Sequence, residues 1–74
     1  MKKQPPGIGA DRFIGKRGLV LEEVNNTENT GRVRLDREEW RADCASDDVI
    51  PVGSRVEVTR LDGTHLVVRE IKED

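Results

Sequence analysis

Aromatic side chains are nearly missing from this chain of 74 residues, which has one Trp, one Phe and no Tyr. Proteins that hold single-stranded nucleic acid usually stack its bases on aromatic rings, so that mode of recognition has little to build on here. Cysteine occurs once, at Cys44, which excludes an internal disulfide and fits a reducing compartment. Histidine also occurs once, and one His, one Cys and scattered carboxylates match no metal-ligand spacing. No uninterrupted apolar run exceeds three residues, against the roughly 18 that a membrane helix requires. No apolar stretch follows Met1, Lys2 and Lys3, so no signal peptide is read. An excess of charge of one sign is lacking too: 13 basic residues face 15 acidic ones, which declares neither a basic nucleic-acid surface nor an acidic tail. A chain this short cannot build two cores that each exclude water, so it makes one domain or part of one.

What is present is β-branched and alternating. Nine Val and four Ile recur with period two, not with the 3.6 period of an amphipathic helix. The pattern predicts an all-β chain. Residues 1–12 hold two of the three prolines and a basic excess, and read as a flexible basic linker. Residues 13–74 form the folded domain. A first strand is expected over Ile14 to Glu22, with bends at Gly15 and Gly18 and the Leu19 to Leu21 triplet buried on both faces. The polar cluster from Glu23 to Asn29 reads as a loop. Strands over Thr30 to Asp36 and Glu39 to Ala45 form a hairpin, with Val33, Leu35, Trp40, Ala42 and Cys44 inward and Arg32, Arg34, Glu39 and Arg41 outward. Val49 to Gly53 reads as a turn or plug, because Pro51 cannot donate into a central ladder. Strands over Arg55 to Leu61 and Thr64 to Ile71 follow, joined at Asp62 and Gly63, a type I′ hairpin signal. Five short strands suit a small closed barrel of the OB type, which removes exposed edges. Its predicted core is Val20, Val33, Leu35, Trp40, Ala42, Val56, Val58, Leu66 and Val68.

No catalytic constellation is legible, and no cofactor site or small-molecule substrate is expected. His65 opens a strand with no nucleophile beside it in sequence, and reads as an exposed strand residue. Cys44 alternates with Trp40 and Ala42, and reads as a buried small hydrophobe. Gly7, Ile8 and Gly9 lack the preceding strand and following helix of a phosphate loop. Asn25, Asn26 and Thr27 formally match a glycosylation acceptor, which without a secretory signal is a polar loop. Arg32, Arg34 and Arg41 lie on the face with which many OB folds hold nucleic acid, so a nucleic-acid module is the alternative reading. Charge is uneven along the chain: residues 1–37 carry eight basic and five acidic side chains, and residues 38–74 five and ten. A basic lead-in suits a stretch near an anionic membrane surface as well as plain solubility.

The series Phe13-Ile14-Gly15-Lys16-Arg17-Gly18, Gly31-Arg32-Val33 to Asp36, Trp40-Arg41-Ala42, Ile50-Pro51-Val52-Gly53 to Val58, and Asp62-Gly63-Thr64-His65-Leu66 to Val68 resembles the C-terminal soluble domain of NfeD-like membrane proteins. The resemblance runs from Phe13 to the end. It departs from the family at Asp36 to Glu39, where a glycine is common before the Trp and this chain has none. The resemblance implies a five-stranded OB barrel appended to membrane helices. It further implies a non-enzymatic interaction module, associated with stomatin-like (SPFH) membrane proteins and with regulation of membrane proteolysis or membrane organisation. The expectation is therefore a domain that is soluble in isolation, membrane-associated through a parent protein and facing the cytoplasm. Arg32, Arg34, Glu39 and Arg41 are its candidate contact residues.

Overall fold

The computed structural model describes residues 10–72. A short 3-10 turn, Ala10–Phe13, precedes five strands: β1 (Arg17–Asn25), β2 (Thr30–Leu35), β3 (Glu38–Cys44), β4 (Arg55–Asp62) and β5 (His65–Glu70). They close into a barrel in the order β1-β2-β3-β5-β4, with β4 pairing back onto β1. Every neighbouring pair is antiparallel except β3 and β5, which run parallel through Ala42 and Leu66, Asp43 and Val67, and Cys44 and Val68. This is the OB-type closed barrel that the sequence predicts. Of the lead-in expected over 1–12, residues 1–9 lie outside the described residues, and Ala10 to Arg12 belong to the 3-10 turn.

β1 must serve two partners, β4 through Arg17 to Leu19 and β2 through Leu19 to Asn25. It bends to do so at register shifts between Val20 and Glu22 and between Glu22 and Asn25, not at the two glycines. The strand therefore starts and ends later than expected, and takes in Val24, which is fully buried. Val24 exchanges two backbone hydrogen bonds with Ile50, each 2.9 Å, so that Ile50 plugs the barrel while its neighbours Val49 and Val52 stay exposed. The Leu19 to Leu21 triplet is not buried on both faces. Val20 points into the core, but Leu19 is 42% exposed, because nothing packs over the outside of β1 there.

Two glycines are fixed by close approach. A side-chain methyl at Gly18 would sit 2.6 Å from the Arg34 carbonyl oxygen and 2.8 Å from Leu35 Cδ2. Gly31, at φ 146°, faces the Ala42 carbonyl and the Val24 backbone, in a backbone region that only glycine adopts without strain. The β2–β3 turn has no glycine and places Asp36 at φ 57°, a left-handed conformation that Asp tolerates. In the β4–β5 hairpin Asp62 pairs with His65, so Gly63 and Thr64 form the turn. Gly63 has φ 67° and Thr64 is not among the positive-φ residues. That is the type II′ pattern, not the expected I′.

The core consists of Phe13, Val20, Val24, Val33, Leu35, Ala42, Cys44, Ile50, Val56, Val58, Leu66 and Val68. Trp40, placed in the core by its alternation, is partly buried and packs against this cluster, as does Leu61. Phe13 lies in the interior at 1% exposure and meets Trp40 edge-on, with ring centroids 5.9 Å apart at 66°. The indole keeps its Nε1 at the surface, donating to Glu38 Oε1 at 3.1 Å. The Arg12 guanidinium lies over the Phe13 ring, 4.4 Å from its centroid.

Phe13→Ala is expected to lose about 3–5 kcal/mol, which would leave a domain of this size largely unfolded. Trp40→Ala should lose clearly less, since part of its ring already faces water. Gly31→Ala combines left-handed strain with a backbone clash and should cost about 3 kcal/mol or more. Urea unfolding of the three variants gives the order.

Candidate functional site

Alternation along β2 and β3 puts Arg32, Arg34, Glu39 and Arg41 on the outer face of one hairpin, where Arg32 pairs with Arg41 and Arg34 with Glu39. Glu39 sits between two guanidiniums: Oε1 lies 3.8 Å from Arg32 Nη1 and Oε2 lies 3.5 Å from Arg34 Nη2. All three side chains are about half exposed. At these distances the pairs are loose and solvent-screened, so they hold the face in no fixed arrangement and can rearrange around a partner's charges. Arg41 differs from the other three. Its Nη2 donates to the Asn29 carbonyl at 2.9 Å, and its Nε is buried without a hydrogen-bond partner among the described residues. It is part-buried, bracing the β1–β2 turn while bordering the outer face.

The outer face continues past this hairpin. Leu19 on β1 lies directly opposite both Arg34 on β2 and Arg55 on β4, and Arg34 lies opposite Glu39. A single row of residues, Arg55, Leu19, Arg34 and Glu39, therefore crosses four strands. Sequence alternation found the β2–β3 half of this row. It missed Leu19 and Arg55, because which strands flank β1 is a property of barrel closure. An exposed leucine inside an otherwise apolar triplet was the available signal, and the triplet reads as buried when taken alone.

The polar residues elsewhere are structural. Asn26 reaches across to the end of β3, where its Oδ1 accepts from the Cys44 N–H at 2.8 Å and its Nδ2 donates to the Cys44 carbonyl at 2.9 Å and to Asp47 Oδ1 at 2.6 Å. The amide imitates a strand neighbour and ties the β1–β2 turn to the β3 exit. Cys44 is buried, with Sγ 3.5 Å from Ser46 Oγ. His65 is part-buried, with Nδ1 3.3 Å from Asp43 Oδ2 on the adjacent parallel strand. That contact ties β5 to β3 and has no nucleophile in it. Among the described residues no group of three or more His, Cys, Asp or Glu could hold a metal ion.

The fold and its surface define a small OB-type barrel with a mosaic of outward arginines and carboxylates around a thin core. The chain belongs to the NfeD-like family: residues 10–70 match the NfeD-like C-terminal, partner-binding domain. It is 31% identical over 65 residues to an uncharacterized protein of Methanocaldococcus jannaschii, and 36% identical over 72 residues to a membrane-bound protease of Pyrococcus horikoshii. These matches cover 88% and 96% of this chain but only 45% and 16% of those proteins. Among solved structures, the C-terminal domain of stomatin operon partner protein 1510-C from Pyrococcus horikoshii is similar at a TM-score of 0.77 and 29% identity, covering 89% of this chain and 98% of that one. The soluble domain of a Corynebacterium glutamicum membrane protein implicated in regulation of membrane protease activity is similar at a TM-score of 0.74 and 33% identity, covering 81% and 94%. Both structural relatives are thus matched over nearly their whole length. No helix among the described residues is long and apolar enough to cross a membrane.

The two kinds of polar contact should differ in energetic weight. A double-mutant cycle on Arg34 and Glu39 is expected to give a coupling of about 1 kcal/mol or less. Asn26→Ala strands the Cys44 backbone groups and should cost about 1–3 kcal/mol. Equal costs in chemical denaturation would contradict the assignment of Asn26 as the tie.

Proposed function

We propose that this domain is a non-enzymatic docking module that works beside a membrane. Its partner is the soluble part of a stomatin-like (SPFH) membrane protein, and through that contact it regulates membrane proteolysis or membrane organisation. The observation that carries the reading is the match over residues 10–70 to a partner-binding domain, joined to a structural relative described as a stomatin operon partner. The protease relative is matched over only 16% of its length, so its activity does not transfer with the match. The docking residues are Arg32, Arg34, Glu39 and Arg41. Arginine suits such a contact because its planar fork pairs with carboxylates while its stem covers apolar surface. The isolated domain binds weakly, since attachment to one membrane would normally supply a high effective concentration. Lys2 and Lys3 would then lie near anionic headgroups, and the domain would face the cytoplasm by the positive-inside tendency.

The nucleic-acid alternative rests on the outward arginines alone. Phe13 is inside the core and Trp40 is packed against it, so no aromatic platform stands on the outer face. Titrating the isotope-labelled domain with the soluble domain of an SPFH protein should shift backbone amides between Arg32 and Arg41. Silence at millimolar partner would sink the reading. Salt-dependent retention on single-stranded oligonucleotide at physiological salt would replace it.

A further inference from the structure

Among the described residues the strands close into a barrel, so recognition of a partner falls chiefly to outward side chains. The outer face offers one place where apolar surface and free cationic groups converge. Arg17, Gly18, Leu19, Arg34, Asp36 and Arg55 line an open cleft of about 310 Å³. Leu19, 42% exposed, forms its floor between the directly opposed Arg34 and Arg55, with Arg17 two residues away on the same face of β1. Arg17 and Arg55 have no ion pair among the described residues. Arg34 has only the loose contact with Glu39, and the one carboxylate in the cleft, Asp36, faces Lys16 Nζ at 3.6 Å. Three guanidiniums therefore frame one leucine in a chain whose net charge is −2. The cleft is thus locally cationic on a chain whose overall charge is slightly negative.

We infer that this cleft is the seat of a short acidic segment of the partner protein, which lays an aliphatic side chain over Leu19 and places carboxylates against Arg17, Arg34 and Arg55. The inference rests on the docking function proposed above and names the chemistry of the partner segment. Charge complementarity selects the acidic peptide. Guanidiniums left without carboxylates hold charge-assisted hydrogen bonds in reserve, and the exposed leucine supplies the apolar anchor that separates a specific contact from a purely ionic one. A flat anionic bilayer fits less well. Asp36, Glu39 and Glu57 are interspersed among the arginines and would meet its phosphates, and one leucine is a small insertion. An extended peptide can thread between these carboxylates. Nucleic acid lacks its stacking partners here.

The test uses a short synthetic peptide with a central leucine flanked by glutamates, titrated into the labelled domain at physiological salt. Saturable amide shifts at Arg17 to Leu19, Arg34 and Arg55 are expected. Leu19→Ser and Arg55→Gln are exposed-site changes whose folding is checked by the unchanged remainder of the amide spectrum. Each should weaken binding by about fivefold or more. Asp36→Asn, which removes the one carboxylate lining the cleft and keeps a residue that tolerates the left-handed backbone there, should strengthen it. That opposite sign is one a merely structural effect would not give. A control peptide with serine for leucine should bind more weakly, and one with lysine for glutamate not at all. No shifts at millimolar peptide would overturn the inference, as would shifts confined to the Arg32 to Arg41 hairpin or to the loops at Asn25 to Asn29 and Asp47 to Val52. Tighter binding to phosphatidylserine vesicles or to a single-stranded oligonucleotide on the same face would overturn it in favour of lipid or nucleic acid. An SPFH soluble domain that shifts the β2–β3 hairpin while leaving Leu19 and Arg55 silent would remove the cleft and keep the docking function.

Discussion

The parallel pairing of β3 with β5 is the contact on which the rest of the molecule depends. Every other pairing is antiparallel, whereas a parallel neighbour can be reached only by a crossover. Here the crossover is residues 45–54 followed by β4 itself. Once Ala42 to Cys44 lie beside Leu66 to Val68, β4 is carried round to β1 and the last edge disappears. The crossover is then held along its course by backbone hydrogen bonds: Ile50 and Val24 exchange two, Gly53 N–H donates to the Val20 carbonyl, Val20 N–H donates to the Ser54 carbonyl, and Ala45 N–H donates to the Val68 carbonyl. A loop that composition marks as irregular is thereby the floor of the barrel.

Closure also explains why a core this thin suffices. Small domains bury too little apolar surface to tolerate waste. This one lets neighbouring backbones approach where side chains are absent, at Gly18 under Leu35 and at Gly31 against Ala42. It then fills the remaining interior with a ring from outside the sheet. Phe13 enters from the 3-10 turn, and that turn is anchored to the barrel by backbone hydrogen bonds between Gly15 and Val58 and between Lys16 and Val58. The indole of Trp40, on β3, packs against Phe13.

The same geometry sorts the charged residues. Outward strand residues find their partners mostly on neighbouring strands, and the ion pairs they form are exposed. Glu57, which lies opposite both Arg17 and Arg69, is taken by Arg69. That leaves Arg17 beside Leu19 without a counter-charge among the described residues. A surface of this kind costs the fold little and is available to a partner, which agrees with the partner-binding family to which the chain belongs.

The sequence by itself determined the all-β class, the five strands within a few residues, the two hairpins and the inward set of β2, β4 and β5. Period-two alternation is a local property that survives any tertiary arrangement. It also determined the family, through motifs spread over the whole chain, and the outward position of Arg32, Arg34 and Glu39. Tertiary structure alone decided that Phe13 and not Trp40 occupies the interior, that Val24 and Ile50 meet, that Asn26 stands in for a strand neighbour, and that Leu19 stays in water between two arginines. The physical reason is common to these cases. Alternation fixes the side of the strand to which a residue points, but burial depends on what the closed barrel brings to that side, and the groups that meet there are far apart in the chain.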